Sequence, residues 1–309
     1  MFPRIAARTI SLFRNRNFIL VLALVVGLSV GEPVARPMEP AVLPLLALIM
    51  TLSATSVTSR EFASLRAVPR PLLISLLLNY VVMGGLTLLM AWWLIDDSEL
   101  WKGFVVLAAS PPAVAVMPFS HMLGGDTFFS LIGMTGVYLT ALAVMPVTMA
   151  LFFGVGFFDP VSVLIILGEL ILIPIVVSRI LLVTRLSQRI EKWRGTIVNW
   201  CFFVVLFTII GVNQSAFFGE VNVLLRIGAV AIVITFVLGY AIELVARAVH
   251  VKRETTISMI LMGSMKNYGL ASGILLTLFS ERAAIPTSIF AVFSILHVVW
   301  LGFQFRKPG

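Results

Sequence analysis

Ser264-Met265-Lys266-Asn267-Tyr268-Gly269-Leu270-Ala271 interrupts an apolar segment that runs from 255 to 279. Lys266 lies near the middle of that segment. A charged side chain at membrane depth costs roughly 2.5–3.5 kcal/mol at a helix centre even on lenient insertion scales. Such a residue marks a functional site by default, and the bland alternative is a structural ion pair between packed helices. Asn267 and Gly269 beside it favour the functional reading, because both suit a break in the helix better than continuous packing.

The chain around this stretch is that of an integral membrane protein. Sixty per cent of its 309 residues are hydrophobic and only 12% are charged. A soluble domain carries about twice that charge. Ten apolar segments emerge, at 17–31, 39–57, 71–95, 101–123, 127–154, 160–183, 195–214, 221–248, 255–279 and 284–304. A bilayer span needs about 20 such residues, so the first segment is short. The fold class expected is all-α, with ten transmembrane helices and no soluble domain between them. The net charge of +8 does not point to nucleic acid, because the cations cluster between the apolar segments. Met1 to Asn17, with Arg4, Arg8, Arg14 and Arg16, is too polar for a signal peptide and reads as a cytoplasmic lead-in.

Alternating the segments with the N-terminus inside puts 17 of the 22 Lys and Arg residues on the inner side. Four (Arg36, Lys102, Arg226 and Arg282) fall outside, and Lys266 lies within the membrane. Basic residues mark the cytoplasmic side, so both termini are expected inside, in a bacterial inner membrane. Ten spans divide into halves at 1–154 and 160–304. With five spans each, the halves have opposite orientations, so the repeat is inverted. The interrupted segments fall at matching places, fourth and ninth. The fourth breaks at Pro111-Pro112 and the ninth at Lys266-Asn267-Tyr268-Gly269. Proline removes a backbone donor and frees the carbonyl four residues back. Unwound backbone at membrane depth persists only inside protein or along a cavity. A matched pair of broken helices points to a transporter's binding site.

Several of these stretches resemble the bile acid:sodium symporter family. Ala47-Leu48-Ile49-Met50 with Ser59-Arg60-Glu61-Phe62 is similar to that family's second span and following loop. Ser110-Pro111-Pro112, then Leu123-Gly124-Gly125-Asp126 and Ser130, resemble its broken fourth helix and the start of its fifth. Met265-Lys266-Asn267-Tyr268-Gly269-Leu270-Ala271 resembles its broken ninth helix, where the usual pattern is Met-Gln/Arg-Asn-x-Gly-Leu-Ala. The resemblance covers roughly residues 45–300 and implies a panel from segments 1, 2, 6 and 7. It implies a core from segments 3–5 and 8–10, which contains the crossing, and transport of organic anions by alternating access.

The chain departs from that pattern where sodium chemistry belongs. A Ser-Asn pair usual after the helix-4 proline falls on Val116 and Met117. The usual helix-9 Glu falls on Met262 and the usual Gln on Lys266, while the helix-3 amide is kept in type as Asn79. Sodium, a hard cation, needs oxygen ligands. Three donors are gone and a fixed cation has appeared.

The expected substrate site is therefore Pro111, Pro112, Ala113, Lys266, Asn267 and Gly269. Asn79, Glu169, Glu243 and His297 join Lys266 as coupling or ion-pair candidates. Glu169 is mid-segment with no partner close in sequence. Glu243 reads equally as an i,i+4 partner of Arg247, and His297 as a helix–helix hydrogen-bond donor. No His, Cys or carboxylate cluster has metal spacing, and no P-loop or hydrolase constellation is present. No catalytic residue, metal or cofactor is expected. The partners expected are a small organic anion, the lipid bilayer and protons, with no nucleic acid. The function expected is a secondary or facilitative organic-anion carrier, sodium-independent, with Lys266 in place of the ion. Alternatives are a sodium symporter with altered ligands, an auxin-efflux-like carrier, and a non-transporting sensor on the same scaffold.

Overall fold

The breaks at Pro111-Pro112 and Lys266-Asn267 organise the molecule. The structure, a computed structural model, describes residues 15–55, 68–154, 156 and 159–305. Ser59 to Phe62, the lead-in Met1 to Arg14, and the basic residues Arg66, Arg306 and Lys307 lie outside the described residues. Among the described residues the protein is all-helical, apart from one isolated antiparallel bridge between Pro112 and Lys266.

In chain order the main helices are α1 (Arg16–Val30), α2 (Glu32–Ala54), α3 (Pro69–Leu94), α4 (Ser98–Ala109) and α5 (Val116–Leu123). They continue with α6 (Thr127–Phe153), α7 (Pro160–Val183), α8 (Leu186–Val212) and α9 (Val221–Ala248). The last three are α10 (Arg253–Ser264), α11 (Tyr268–Leu278) and α12 (Glu281–Gln304). Seven of them, α2, α3, α6, α7, α8, α9 and α12, are long and apolar enough to cross a membrane. The fourth and ninth apolar segments are each two short helices, α4 with α5 and α10 with α11, separated by unwound chain. The seventh begins earlier than its apolar run. α8 starts at Leu186 and carries Arg189, Lys192 and Arg194 on a helical extension, because a polar sequence of good helix formers continues the turn without needing burial.

Side-chain caps set several starts. Asp97 accepts from the N–H groups of Glu99 and Leu100, Asp126 from Phe129, Asp159 from Val161, Asn267 from Leu270 and Ser280 from Ala283. Each satisfies a donor that the first helical turn leaves free.

Three spans contain a wide-turn π-register stretch, at Leu77–Gly84 in α3, Gly168–Leu172 in α7 and Val233–Val237 in α9. Sequence periodicity did not signal these, since the apolar pattern runs on through them.

α8 packs along both α1 and α2, and α7 packs on α2. α3 pairs with α6, α4 with α12 and α6, α9 with α10 and α12, and α11 with α12. α11 also touches α2. There the absent side chain of Gly269 matters, because a Cβ would stand 2.9 Å from a Leu46 methyl. The pair Gly84-Gly85 in α3, read as close packing, divides. Gly84 needs its missing Cβ, which would lie 2.9 Å from the Ala108 carbonyl oxygen, whereas Gly85 faces open space.

Candidate functional site

Lys266 is completely buried, and its ammonium is held by four oxygens. Nζ donates to the Asn79 backbone oxygen (2.9 Å), Asn79 Oδ1 (2.9 Å), the Ala108 oxygen (2.8 Å) and the Ser110 oxygen (2.7 Å). Three of the four are backbone carbonyls, and the local sequence explains why they are open. Pro112 has no N–H, so Ala108, four residues back, keeps an unused acceptor. Ser110 sits where α4 ends in extended backbone. Asn79 lies in the π-register part of α3, whose wider turn suits an outside donor. The ammonium thus sits at the C-terminal, negative end of α4. The Tyr80 ring adds a cation–π contact at 5.1 Å.

Four acceptors around Nζ suit an ammonium. An ammonium has three donors and no acceptor. A neutral amine would aim a lone pair at one of four oxygens. Among the described residues no carboxylate pairs with Lys266. Its charge is balanced by carbonyl dipoles, the environment that a bound metal cation would otherwise use.

The two breaks are stitched together beside it. The Asn267 N–H donates to the Pro111 oxygen at 2.8 Å. Tyr138 of α6, fully buried, donates its hydroxyl to the Pro112 oxygen (2.8 Å) and accepts from Asn267 Nδ2 (2.9 Å). Asn267 Oδ1 in turn caps α11 through the Leu270 N–H at 3.0 Å. Neighbouring Tyr80 donates its hydroxyl to the Val137 oxygen at 2.9 Å, tying α3 to α6. One side-chain hydroxyl therefore joins both unwound segments.

Two cavities flank this core. A narrow one of about 60 Å³ is lined by Ala113, Val114, Ala115, Lys266, Asn267 and Gly269, among others, with apolar side chains from α1, α2, α8 and α12. The starts of α5 and α11 face it, and helix N-termini favour anions. A wider one of about 580 Å³ opens between Leu52, Ser53, Glu191, Arg194 and Asn199 on one side and Met117, Pro118, His121 and Thr127 on the other.

The structure thus brings Pro111, Pro112, Ala113, Lys266, Asn267 and Gly269 to one crossing, with Asn79 as a direct partner of Lys266. The other three candidates lie elsewhere. Glu243 is buried and engages Arg247 and, at 2.7 Å, Gln304 Nε2. Glu169 is exposed on α7. His297 is buried, but neither ring nitrogen has a hydrogen-bond partner among the described residues. It packs edge-on to Phe236 at 5.0 Å, so the donor reading of His297 does not hold. Tyr138, Tyr80 and the Ala108 and Ser110 carbonyls were missed by sequence reasoning. A backbone acceptor has no residue signature, although the Pro112 spacing implied the one at Ala108.

A rim of exposed charge stands at the starts of α4 and α12. Arg282 pairs with Asp97 (2.8 Å) and Glu220 (2.9 Å), and Arg36 pairs with Glu32 (2.5 Å) and Glu281 (2.9 Å). Glu99 accepts from Lys102 and from the Ser280 hydroxyl, and these two hold its carboxyl below the usual range.

The profile of the sodium bile acid symporter family matches residues 43–225. The chain belongs to that family. It is a membrane transporter, and its family is one of transporters, not of enzymes. The matched region holds the first break and Asn79. Comparison with curated proteins gave no match.

Proposed function

We propose that the protein carries a small organic anion by alternating access and needs no sodium, because the Lys266 ammonium occupies the place of the coupling ion. One observation carries this reading: four oxygens surround Nζ at 2.7–2.9 Å, with no counter-ion among the described residues. A tethered ammonium offers a compact charge and three donors to carbonyls that a metal ion would otherwise ligate. The side chains at neighbouring positions agree. Val116 and Met262 are buried hydrocarbon and thioether, and Met117 faces the wider cavity, so none supplies a hard oxygen.

In this reading the chain has ten spans in two inverted halves, 1–154 and 160–304, with both termini cytoplasmic. α1, α2, α7 and α8 form the panel and the remaining helices the core. The anion binds at the crossing, where the starts of α5 and α11 meet the narrow cavity. The largely apolar lining of that cavity suits a carboxylate with a hydrocarbon body. The wider cavity, beside Arg194 and His121, is the cytoplasmic vestibule. A permanently charged Lys266 makes the carrier a uniporter or exchanger, whereas loss of its proton during the cycle makes it proton-coupled.

The decisive experiment is uptake into proteoliposomes with sodium replaced by choline. Full activity is expected, and loss of most activity overturns the reading. A sodium-coupled alternative has one observation in its favour. The buried hydroxyls of Ser75 and Ser130 have no partner among the described residues, and Ser75 lies against Gly133 where α3 packs on α6. The same exchange of sodium for choline decides between the two. Lys266→Gln restores only one of the missing ligands and should lower uptake without conferring sodium dependence.

A further inference from the structure

Panel and core, as assigned above, part at one end of the molecule and hold together at the other. At the cytoplasmic end the cavity of about 580 Å³ lies between Ser53, Arg194 and Asn199 on the panel and His121 and Thr127 on the core. About 21 Å further along α8, at its C-terminal cap Asn213, the same helix bonds to α12. Asn213 Nδ2 donates to Ser288 Oγ at 2.8 Å, and that hydroxyl donates to the Ile209 oxygen at 2.9 Å. Both side chains are buried, Ser288 completely. At the exposed rim beyond them, Arg36 of α2 pairs with Glu281 of α12.

Each of these groups also has a second partner one turn back on its own helix. Asn213 Nδ2 donates to the Ile209 oxygen at 3.1 Å as well. The Ser288 hydroxyl also reaches the Ala284 oxygen at 3.3 Å. Arg36 also pairs with Glu32. Lys266 has no such alternate, since its four oxygens all belong to α3 and the end of α4. A buried donor left without an acceptor is costly. A contact whose donors keep a local acceptor escapes that cost when its halves separate.

We propose that Asn213 and Ser288 form a releasable latch that holds the outer side shut in this conformation, with Arg36–Glu281 as a weaker outer hook. The proposal rests on the panel-and-core reading given above. When α12 leaves α8, the Ser288 proton turns to the Ala284 oxygen and Asn213 keeps the Ile209 oxygen, so neither donor is stranded. The parted faces then lead to Ala291, which lies one turn inward from Ser288 and lines the narrow cavity. The latch thereby sets the balance between the inward-open and outward-open forms.

The test uses the full-length protein in membrane vesicles, with Cys201→Ser and a reporter, Ala291→Cys. A membrane-impermeant maleimide is applied from outside in right-side-out vesicles and from the cytoplasmic side in inverted ones. The reporter protein should label faster from the cytoplasmic side. Adding Ser288→Ala should raise outside labelling about fivefold, the factor that a typical buried hydrogen bond supplies, while cytoplasmic labelling stays level or falls. Asn213→Ala should do the same, and the double variant should gain no more than either alone, because both break one bond. Glu281→Gln should raise outside labelling about twofold, as for an exposed pair. An outside rate unchanged in both Ser288→Ala and Asn213→Ala overturns the proposal. So do rates that rise equally from both sides, which report loosened packing, and additive effects in the double variant, which deny the bond. Sodium-free uptake by the natural sequence tests the carrier reading separately. Uptake with no labelling shift in either variant keeps that reading and removes the latch, and a shift without sodium-free uptake does the reverse.

Discussion

The crossing and the charged rim handle ionic groups in opposite ways. At the crossing one cation is sealed from solvent and answered, among the described residues, by carbonyl oxygens and the Tyr80 ring. At the rim several cations stand half-exposed, each answered by a carboxylate. Water and salt screen the rim, so any one of its pairs is worth little. Nothing screens Lys266, so losing it leaves buried acceptors unpaired. Function follows burial here. Pairs at the rim can exchange partners with water at low cost, whereas the crossing holds its lysine away from solvent.

The sharpest way to break this contrast is Lys266→Met, which keeps length and removes charge. Four acceptors then lose their donor. Uptake should fall to background, and the loss of stability should be about 3–5 kcal/mol, because several buried acceptors, each costing about 1–3 kcal/mol when unsatisfied, are orphaned at once. A thermal unfolding scan in detergent beside a transport assay checks both. A variant that stays within 1–2 °C of the parent and still transports would reduce Lys266 to a passive filler.

Tyr138→Phe comes next in size. It leaves the Pro112 oxygen and Asn267 Nδ2 without their bridge, but the Asn267 cap on α11 survives. About 1–3 kcal/mol should be lost, because buried partners are orphaned. Uptake should drop about tenfold if most of that energy aligns the two breaks. Circular dichroism should show full helix content, which separates misalignment from unfolding. Unchanged uptake would mean that the backbone bond between Asn267 and Pro111 suffices to hold the crossing.

The two regions also differ in how far the sequence disclosed them. Lys266 and both breaks were legible because charge and proline are costly in an apolar run, and such costs stand out in one dimension. Asn79 was legible only through the family resemblance. Tyr138 was not, since an aromatic residue in a membrane segment reads first as packing. The π-register turns had no periodic signature. At the rim the charges were visible, but not their pairing. Arg282 meets Asp97 and Glu220 across 185 and 62 residues, distances that only the assembled fold closes. The acids Glu169 and Glu243 looked alike as candidates for Lys266, yet one is buried against Arg247 and Gln304 and the other faces outward.

Acid sharpens the comparison by the smallest effect. Glu99 has its folded-state pKa lowered, first by the Lys102 ammonium and then by the Ser280 hydroxyl. A group depressed in the folded state contributes stability that is fully present above its unfolded pKa, about 4.3 for glutamate. That contribution fades as pH falls through the folded value, because the unfolded chain then binds the proton more readily. The melting temperature should therefore decline by a degree or two, roughly, between pH 6 and pH 3, in keeping with an exposed pair. Glu99→Gln should remove part of that decline, and high salt should mimic it by screening the pair. The crossing supplies the internal control. Among the described residues Lys266 has uncharged oxygen partners, so acid adds no proton to its ligands. A Glu99→Gln protein whose acid decline equals the parent's would move the pH-sensitive part of the molecule away from this rim.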